Sequence, residues 1–213
     1  MTDVNTAVNR GTFLRNAAKG GIVLAGSTGV IAAVEGVAFA GTASAATTSD
    51  ITTLQAAYTA ESLAVYIYSA IIKNFKSFTH PKLQNEDYFQ AALKNEMDHK
   101  AFLAGALGSK TPTGLKFVIP ASVLKSGQSL LNTGVALETA FVEAYLGAVE
   151  TFSSLELKMV AAKVAANEAT HFSFFDAAAG AGPGNFGGHG VLPSLPSTAT
   201  IKATVKKLEP FLA

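Results

Sequence analysis

Apolar residues recur at helical spacing in four separate stretches of the chain. Over residues 46–74, Leu54, Ala57, Tyr58, Glu61, Ala64, Val65 and Tyr68 share one helical face, and Thr47, Thr48, Ser49 and Asp50 supply N-cap candidates. The spacing predicts a first helix there, broken by residues 75–85, which hold His80-Pro81. Residues 86–107 predict a second helix. Residues 131–152 predict a third, with Leu137, Glu138, Phe141, Val142, Tyr145 and Leu146 on one side, and residues 154–179 a fourth. The stretch 108–130 contains Pro112, Gly114 and Pro120 and is too long for a tight helix–helix turn. Lys116-Phe117-Val118-Ile119 within it has strand character, but a lone strand has nothing to pair with. Gly180 to Pro196 is rich in Gly and Pro and predicts a loop wrapping the bundle. Thr198 to Leu212 predicts a short final helix ended by Pro210. The expected fold is all-α, an antiparallel four-helix bundle with one long crossover between helices two and three.

Residues 1–45 have a different character. A polar start carries Arg10, Arg15 and Lys19, a small apolar run extends from Gly20 to Ala40, and Ala43-Ser44-Ala45 closes it. Basic, apolar and A-x-A-like parts in this order define an export signal or an N-terminal anchor. Glu35 and the many glycines weaken a transmembrane span, so contact with a membrane is expected only through residues 1–45, if uncleaved. Arg10-Gly11-Thr12-Phe13-Leu14-Arg15 resembles a twin-arginine export signal, with Gly11 where the second arginine belongs. The expected organisation is an export segment (1–45), a helical bundle (46–180) and a Gly/Pro-rich loop with a short helix (181–213). The expected location is outside the cytoplasm: periplasmic, extracellular or in the cell envelope.

Composition narrows the chemistry. A 49% hydrophobic content allows a sizeable core, and a formal charge of +1 with no long basic run argues against a nucleic-acid partner. The chain has no cysteine, which excludes disulfides, thiolate ligands and cysteine nucleophiles.

Chemistry enters with Glu96-Met97-Asp98-His99 and its twin Glu168-Ala169-Thr170-His171, which follows Asn167. Residues three apart share a helix face, so each Glu-x-x-His pair can grip one metal ion. Ten glutamates and four histidines scattered at random over 213 residues would give about 0.2 such pairs, against two found. The plain alternative is a solvated helix face. The flanks oppose it: Ala91, Ala92, Phe102 and Leu103 surround the first pair, and Phe172, Phe174 and Phe175 follow the second. Charges in such surroundings are rarely fully buried unless paired or bound to metal.

Helices one and three repeat a pattern. In Glu61 to Tyr68 and Glu138 to Tyr145, Glu, Val and Tyr coincide at the first, fifth and eighth places. Each is followed by a Glu-x-x-His helix, so two similar hairpins about a pseudo-twofold axis would bring Glu61, Glu96 and His99 opposite Glu138, Glu168 and His171. With a turn near Ser153, Glu138 and Glu168 sit level. Glu143 would lie about 7.5 Å out of level and point about 140° away, which suits a partly exposed or supporting carboxylate. Tyr68 and Tyr145 share the face of their Glu, either as core aromatics with a hydroxyl partner or in a redox or hydrogen-bonding role.

With these residues in place the chain resembles the ferritin-like superfamily, and within it the ferritin-like domain group that includes desiccation-related proteins. The marks are the Glu61 helix with Val65-Tyr66-Ile67-Tyr68, Glu96 to His99, Phe117 and Pro120 in the crossover, Leu137-Glu138 through Ala148, and Glu168 to His171. The resemblance covers about residues 50–180 and implies a bundle with a buried di-iron or di-manganese site. Members often carry a second Glu three places after the first on helix one. Here that place is Ala64, one carboxylate fewer for iron storage.

The metal ligands expected are Glu61 and Glu138 as single ligands, Glu96 and Glu168 as bridges, and His99 and His171 as terminal ligands. Four carboxylates and two imidazoles suit two Fe or two Mn ions and balance their charge. Without metal, four crowded carboxylates should have raised pKa values. Two functions are expected to compete. One is a redox di-metal protein acting on O₂ or peroxide, as a ferroxidase-like, peroxide-consuming or oxidase centre. The other is an exported structural or stress-protective interaction protein with an idle or empty site, in which low charge serves assembly, including a homo-oligomer. Support for the outer nitrogen of each ligating histidine would favour the first.

Overall fold

The computed structural model describes residues 46–75, 86–180, 187–194 and 196–213. The export segment read at 1–45, most of the break read at 75–85, and residues 181–186 lie outside them.

Four long helices carry the fold: α1 (Thr48–Asn74), α2 (Glu86–Leu107), α3 (Gly127–Thr151) and α4 (Leu155–Ala179). A short α5 (Ile201–Lys207) and a 3₁₀ turn (Glu209–Phe211) end the chain. Each long helix for which a start is described begins where a side chain can satisfy the free backbone N–H groups. Thr47 and Asp50 form a reciprocal capping box on α1, Ser126 accepts from Ser129 N on α3 at 3.1 Å, and Ser154 accepts from Leu157 N on α4 at 3.2 Å. The Ser126 cap starts α3 four residues before the expected 131. Gly127, Gln128 and Ser129 give little apolar signal, and the cap decides the boundary.

Three polar ties set the directions. Gln55 near the start of α1 donates to Lys110 O just past the end of α2, at 2.8 Å. Gln128 at the start of α3 donates to Ala179 O at the end of α4, at 3.0 Å. Asp50 at the start of α1 accepts from Ser153 N at the end of α3, at 2.9 Å. The neighbouring helices therefore run antiparallel. Because α2 ends and α3 begins at opposite ends of the bundle, residues 108–126 must travel its length, about 37 Å for a helix of 25 residues. This is the expected long crossover. α1 packs chiefly on α2, and α3 on α4, as two hairpins face to face.

The crossover supplies one correction. Phe117 forms an isolated antiparallel bridge with Leu212, with Val118 N donating to Phe211 O at 2.8 Å and Ala213 N to Lys116 O at 3.1 Å. The strand-like segment does find a partner, the chain's own C-terminus, some 95 residues away. The final helix is correspondingly shorter than the expected 198–212.

The core divides into two apolar clusters. One holds Leu63, Tyr68, Phe89, Leu131, Phe172 and Phe175, the other Leu54, Leu103, Ala148, Phe152, Leu157 and Ala161. Each large side chain so buried contributes about 1.5–3 kcal/mol. On α2 and α4 the residues between the clusters are polar, Glu96 with His99 and Glu168 with His171, and on α1 and α3 Glu61 and Glu138 stand near the same boundary, within the edge of the first cluster. A charged layer thus lies across the middle of the bundle, sealed from above and below by hydrocarbon.

α5 closes one side of this layer. It packs on α1 and α3, with Thr204 fully buried and its hydroxyl 3.3 Å from Ala140 O. Ala199 N donates to Glu143 O at 2.9 Å, and this approach requires Gly147, since a Cβ there would sit 2.0 Å from Ala199 O.

Candidate metal centre

All six expected residues meet in the polar layer. Glu61, Glu96, Glu138, Glu168 and His171 are at most 2% exposed, and the His99 side chain is 13% exposed. Two groups of ligand atoms, each within 4.8 Å of one another, form there: Glu61, Glu96, His99 and Glu168, and Glu96, Glu138, Glu168 and His171. Glu96 and Glu168 belong to both, which is the arrangement of shared carboxylates between two positions.

Both histidines turn Nδ1 inward. His99 Nδ1 lies 3.0 Å from Glu168 Oε1, 3.6 Å from Glu61 Oε2 and 3.7 Å from Glu96 Oε2. His171 Nδ1 lies 2.8 Å from Glu96 Oε1 and 3.1 Å from Glu168 Oε2. Only the last of these is aligned as a hydrogen bond. Among the described residues, buried Glu61 Oε2, both oxygens of Glu96, Glu138 Oε2, Glu168 Oε1 and His99 Nδ1 find no hydrogen-bond partner. An unpaired buried donor or acceptor costs about 1–3 kcal/mol, more when charged. So many orphaned ligand atoms facing one small space fit a pair of bound cations, which would satisfy them together.

The remaining carboxylate oxygens are held by tyrosines, each from the opposite hairpin. Tyr68 on α1 donates to Glu138 Oε1 at 2.6 Å, and Tyr145 on α3 donates to Glu61 Oε1. Both phenols are fully buried. Burial and then the facing carboxylates push their pKa values well above the usual range, so they remain donors.

Electrostatics follow the crowding. Burial, then repulsion from Glu96, raises Glu61 to about 7. Burial and Glu168 push Glu138 well above the ordinary carboxylate range. Glu168 moves the other way: burial and Glu61 act to raise it, but the close Nδ1 atoms of His171 and His99, at 3.1 and 3.0 Å, outweigh them and hold it low. The expectation of raised carboxylates, met at Glu61 and Glu138, is corrected at Glu168, because both histidines converge on it. Burial alone would lower His171, yet Glu168 and Glu96 raise it to about 11, and His99 rises likewise beside Glu168, Glu61 and Glu96.

Glu143, set aside on helix geometry, lies outside the cluster. It accepts from Ser197 Oγ and faces Lys207 Nζ at 3.4 Å, anchoring the C-terminal segment. His189 is exposed and apart from the site. Sequence reasoning missed Asn95, whose Nδ2 lies 3.3 Å from the outer nitrogen Nε2 of His171. A signal was present: an Asn directly precedes the Glu in both pairs, as Asn95-Glu96 and Asn167-Glu168.

Fold and site together define a four-helix bundle with a buried carboxylate–histidine centre able to hold metal. The sequence profile of the ferritin-like domain matches residues 49–181, and the chain belongs to that family. No curated protein matches the sequence. Among the described residues no helix is long and apolar enough to cross a membrane.

Proposed function

We propose that the chain is an exported di-metal protein with redox activity, binding two Fe or two Mn ions through Glu61, Glu96, His99, Glu138, Glu168 and His171. The observation that carries this is the set of orphaned, inward-facing ligand atoms in a layer otherwise sealed by hydrocarbon. Glu96 and Glu168, common to both ligand groups, would be shared between the two ions, with Glu61 and Glu138 as single carboxylates and His99 and His171 as the imidazole ligands. Four carboxylates balance two divalent cations, and oxygen and imidazole donors suit Fe or Mn. Such a pair supplies electron transfer to O₂ or peroxide when bound.

The chain's own residues prepare the site. Tyr68 and Tyr145 fix one oxygen of Glu138 and of Glu61 and leave the other facing inward. The histidine Nδ1 atoms must give up their protons to bind metal, and the neighbouring carboxylates hold those protons in the metal-free state. The apolar clusters on either side exclude bulk water, which strengthens each charge interaction within. Asn95 at His171 Nε2 gives one of the two histidines the outer support that favours a working site. Export rests on residues 1–45, with their basic start, apolar run and Ala43-Ser44-Ala45. A place in the group that includes desiccation-related proteins is part of the same proposal.

Metal content of the chain purified without chelator tests this, beside a Glu96→Ala/Glu168→Ala variant. About two Fe or Mn per parent chain, lost in the variant, are expected. No metal in the parent, even after anaerobic loading with Fe(II) and Mn(II), would leave the structural or stress-protective reading.

A further inference from the structure

The two halves of the centre repeat in sequence but differ in their surroundings. On the His171 side the ring is 2% exposed and its outer nitrogen is covered by the Asn95 amide. On the His99 side the ring is 13% exposed, and the twin amide of Asn167 makes no matching contact among the described residues, where its buried Oδ1 has no hydrogen-bond partner. A cavity of about 250 Å³ accounts for the difference. It lies between α2 and α4, with Phe102, Val160 and Val164 as apolar walls, His99, Asn95 and Asn167 as uncharged polar lining, and Asp98 and Lys163 as a charged pair of opposite sign beside them. His99 is the one member of the ligand cluster that lines it. The opposite groove, between α1 and α3, is covered by α5 and its buried Thr204.

We propose that the two metal positions are inequivalent. The position formed by Glu61, Glu96, His99 and Glu168 exchanges its divalent cation with solvent through the α2–α4 cavity. The position formed by Glu96, Glu138, Glu168 and His171 is sealed and retained. This inference rests on the metal reading above. The physical basis is access. An ion leaving the first position has only the His99 ring between it and the cavity, and the Asn167 oxygen is available to a hydrated cation on the way. An ion leaving the second must displace a buried imidazole clamped by Asn95. Repeats that match in their ligands can therefore differ in rate, because rate depends on what stands outside the ligands.

The test is release kinetics. The full chain is loaded anaerobically with Fe(II) and mixed with excess 2,2′-bipyridine, and the coloured complex is followed in time. Two phases of equal amplitude are expected. Val160→Phe, which narrows the cavity at a wall remote from the ligands, should slow the fast phase and leave the slow one unchanged. Asn95→Ala, which uncovers the outer nitrogen of His171 towards the same cavity, should speed the slow phase about tenfold. Release of both ions in a single phase, or a Val160→Phe variant that alters the slow phase instead, would overturn the inequivalence while leaving the metal reading intact. A chain that takes up no Fe(II) overturns the metal reading, and the inference with it.

Discussion

The Tyr68 hydroxyl crosses the bundle to donate to Glu138 at 2.6 Å, and Tyr145 returns the contact to Glu61. Each tyrosine stands seven residues after the Glu of its own helix but binds the Glu of the other. The exchange ties the two hairpins together at the level of the polar layer. Tyr68→Phe should destabilise the metal-free protein by about 1–3 kcal/mol, since it leaves a buried carboxylate oxygen unpaired. Urea denaturation of the metal-free variant against the parent measures this, and an unchanged midpoint would remove the tyrosine from the lock.

Asp50 ties the start of α1 to the end of α3. It completes the Thr47 capping box and accepts from both the backbone and the hydroxyl of Ser153. Burial works to raise its pKa, but the Ser153 and Thr47 hydrogen bonds bring it down to about 2. A depressed carboxylate stabilises the fold above its unfolded value near 4, and that contribution is lost as pH falls from about 4 to about 2. Asp50→Ala should cost about 1–2 kcal/mol at neutral pH and show less further loss in acid than the parent. Thermal melts at pH 7 and pH 3 compare the two.

The metal-free protein should become less stable as pH rises from about 5 to about 7.5. Glu61, raised to about 7, and His171, raised to about 11, both bind protons more tightly folded than unfolded. Where the native state holds more protons, stability falls with increasing pH. The lowered pKa of Glu168 acts only below this window. Metal binding requires the deprotonated ligands, so its added stability should grow over the same range. Melting temperatures across this range, with and without Mn(II), should show opposite slopes.

Gly147 allows the C-terminal segment to lie on α3. Gly147→Ala would drive a Cβ into Ala199 O at 2.0 Å and should displace that segment while keeping the four long helices. Hydrogen exchange would then show loss of protection at Ala199 and Thr204 and retained protection along α4. Protection unchanged at Ala199 would contradict the packing described.

The four helices were legible because their apolar spacing is regular, and α2 falls where the pattern placed it. The six cluster residues were legible because Glu-x-x-His spacing and hairpin level are local properties of helices. What stayed hidden depends on contacts distant in sequence. Phe117 pairs with Leu212, and nothing near residue 117 announces that partner. The face of Tyr68 could be read from its distance to Glu61, but not which hairpin's carboxylate it would meet. Glu168 departs from Glu61 and Glu138 because His99, from the opposite hairpin, joins His171 beside it. Asn95 illustrates both limits: its place before Glu96 was visible, and its contact with His171 across the bundle was not.

The central claim is that Glu96 and Glu168 join two metal ions into one centre. Electron paramagnetic resonance of the full chain loaded anaerobically with Mn(II) tests it most directly, because bridging carboxylates couple the spins of neighbouring ions. The spectrum of a coupled Mn(II) pair is expected at full loading, abolished in the Glu96→Ala/Glu168→Ala variant. The hyperfine sextet of isolated Mn(II) at every loading, or no bound Mn(II) at all, would contradict it.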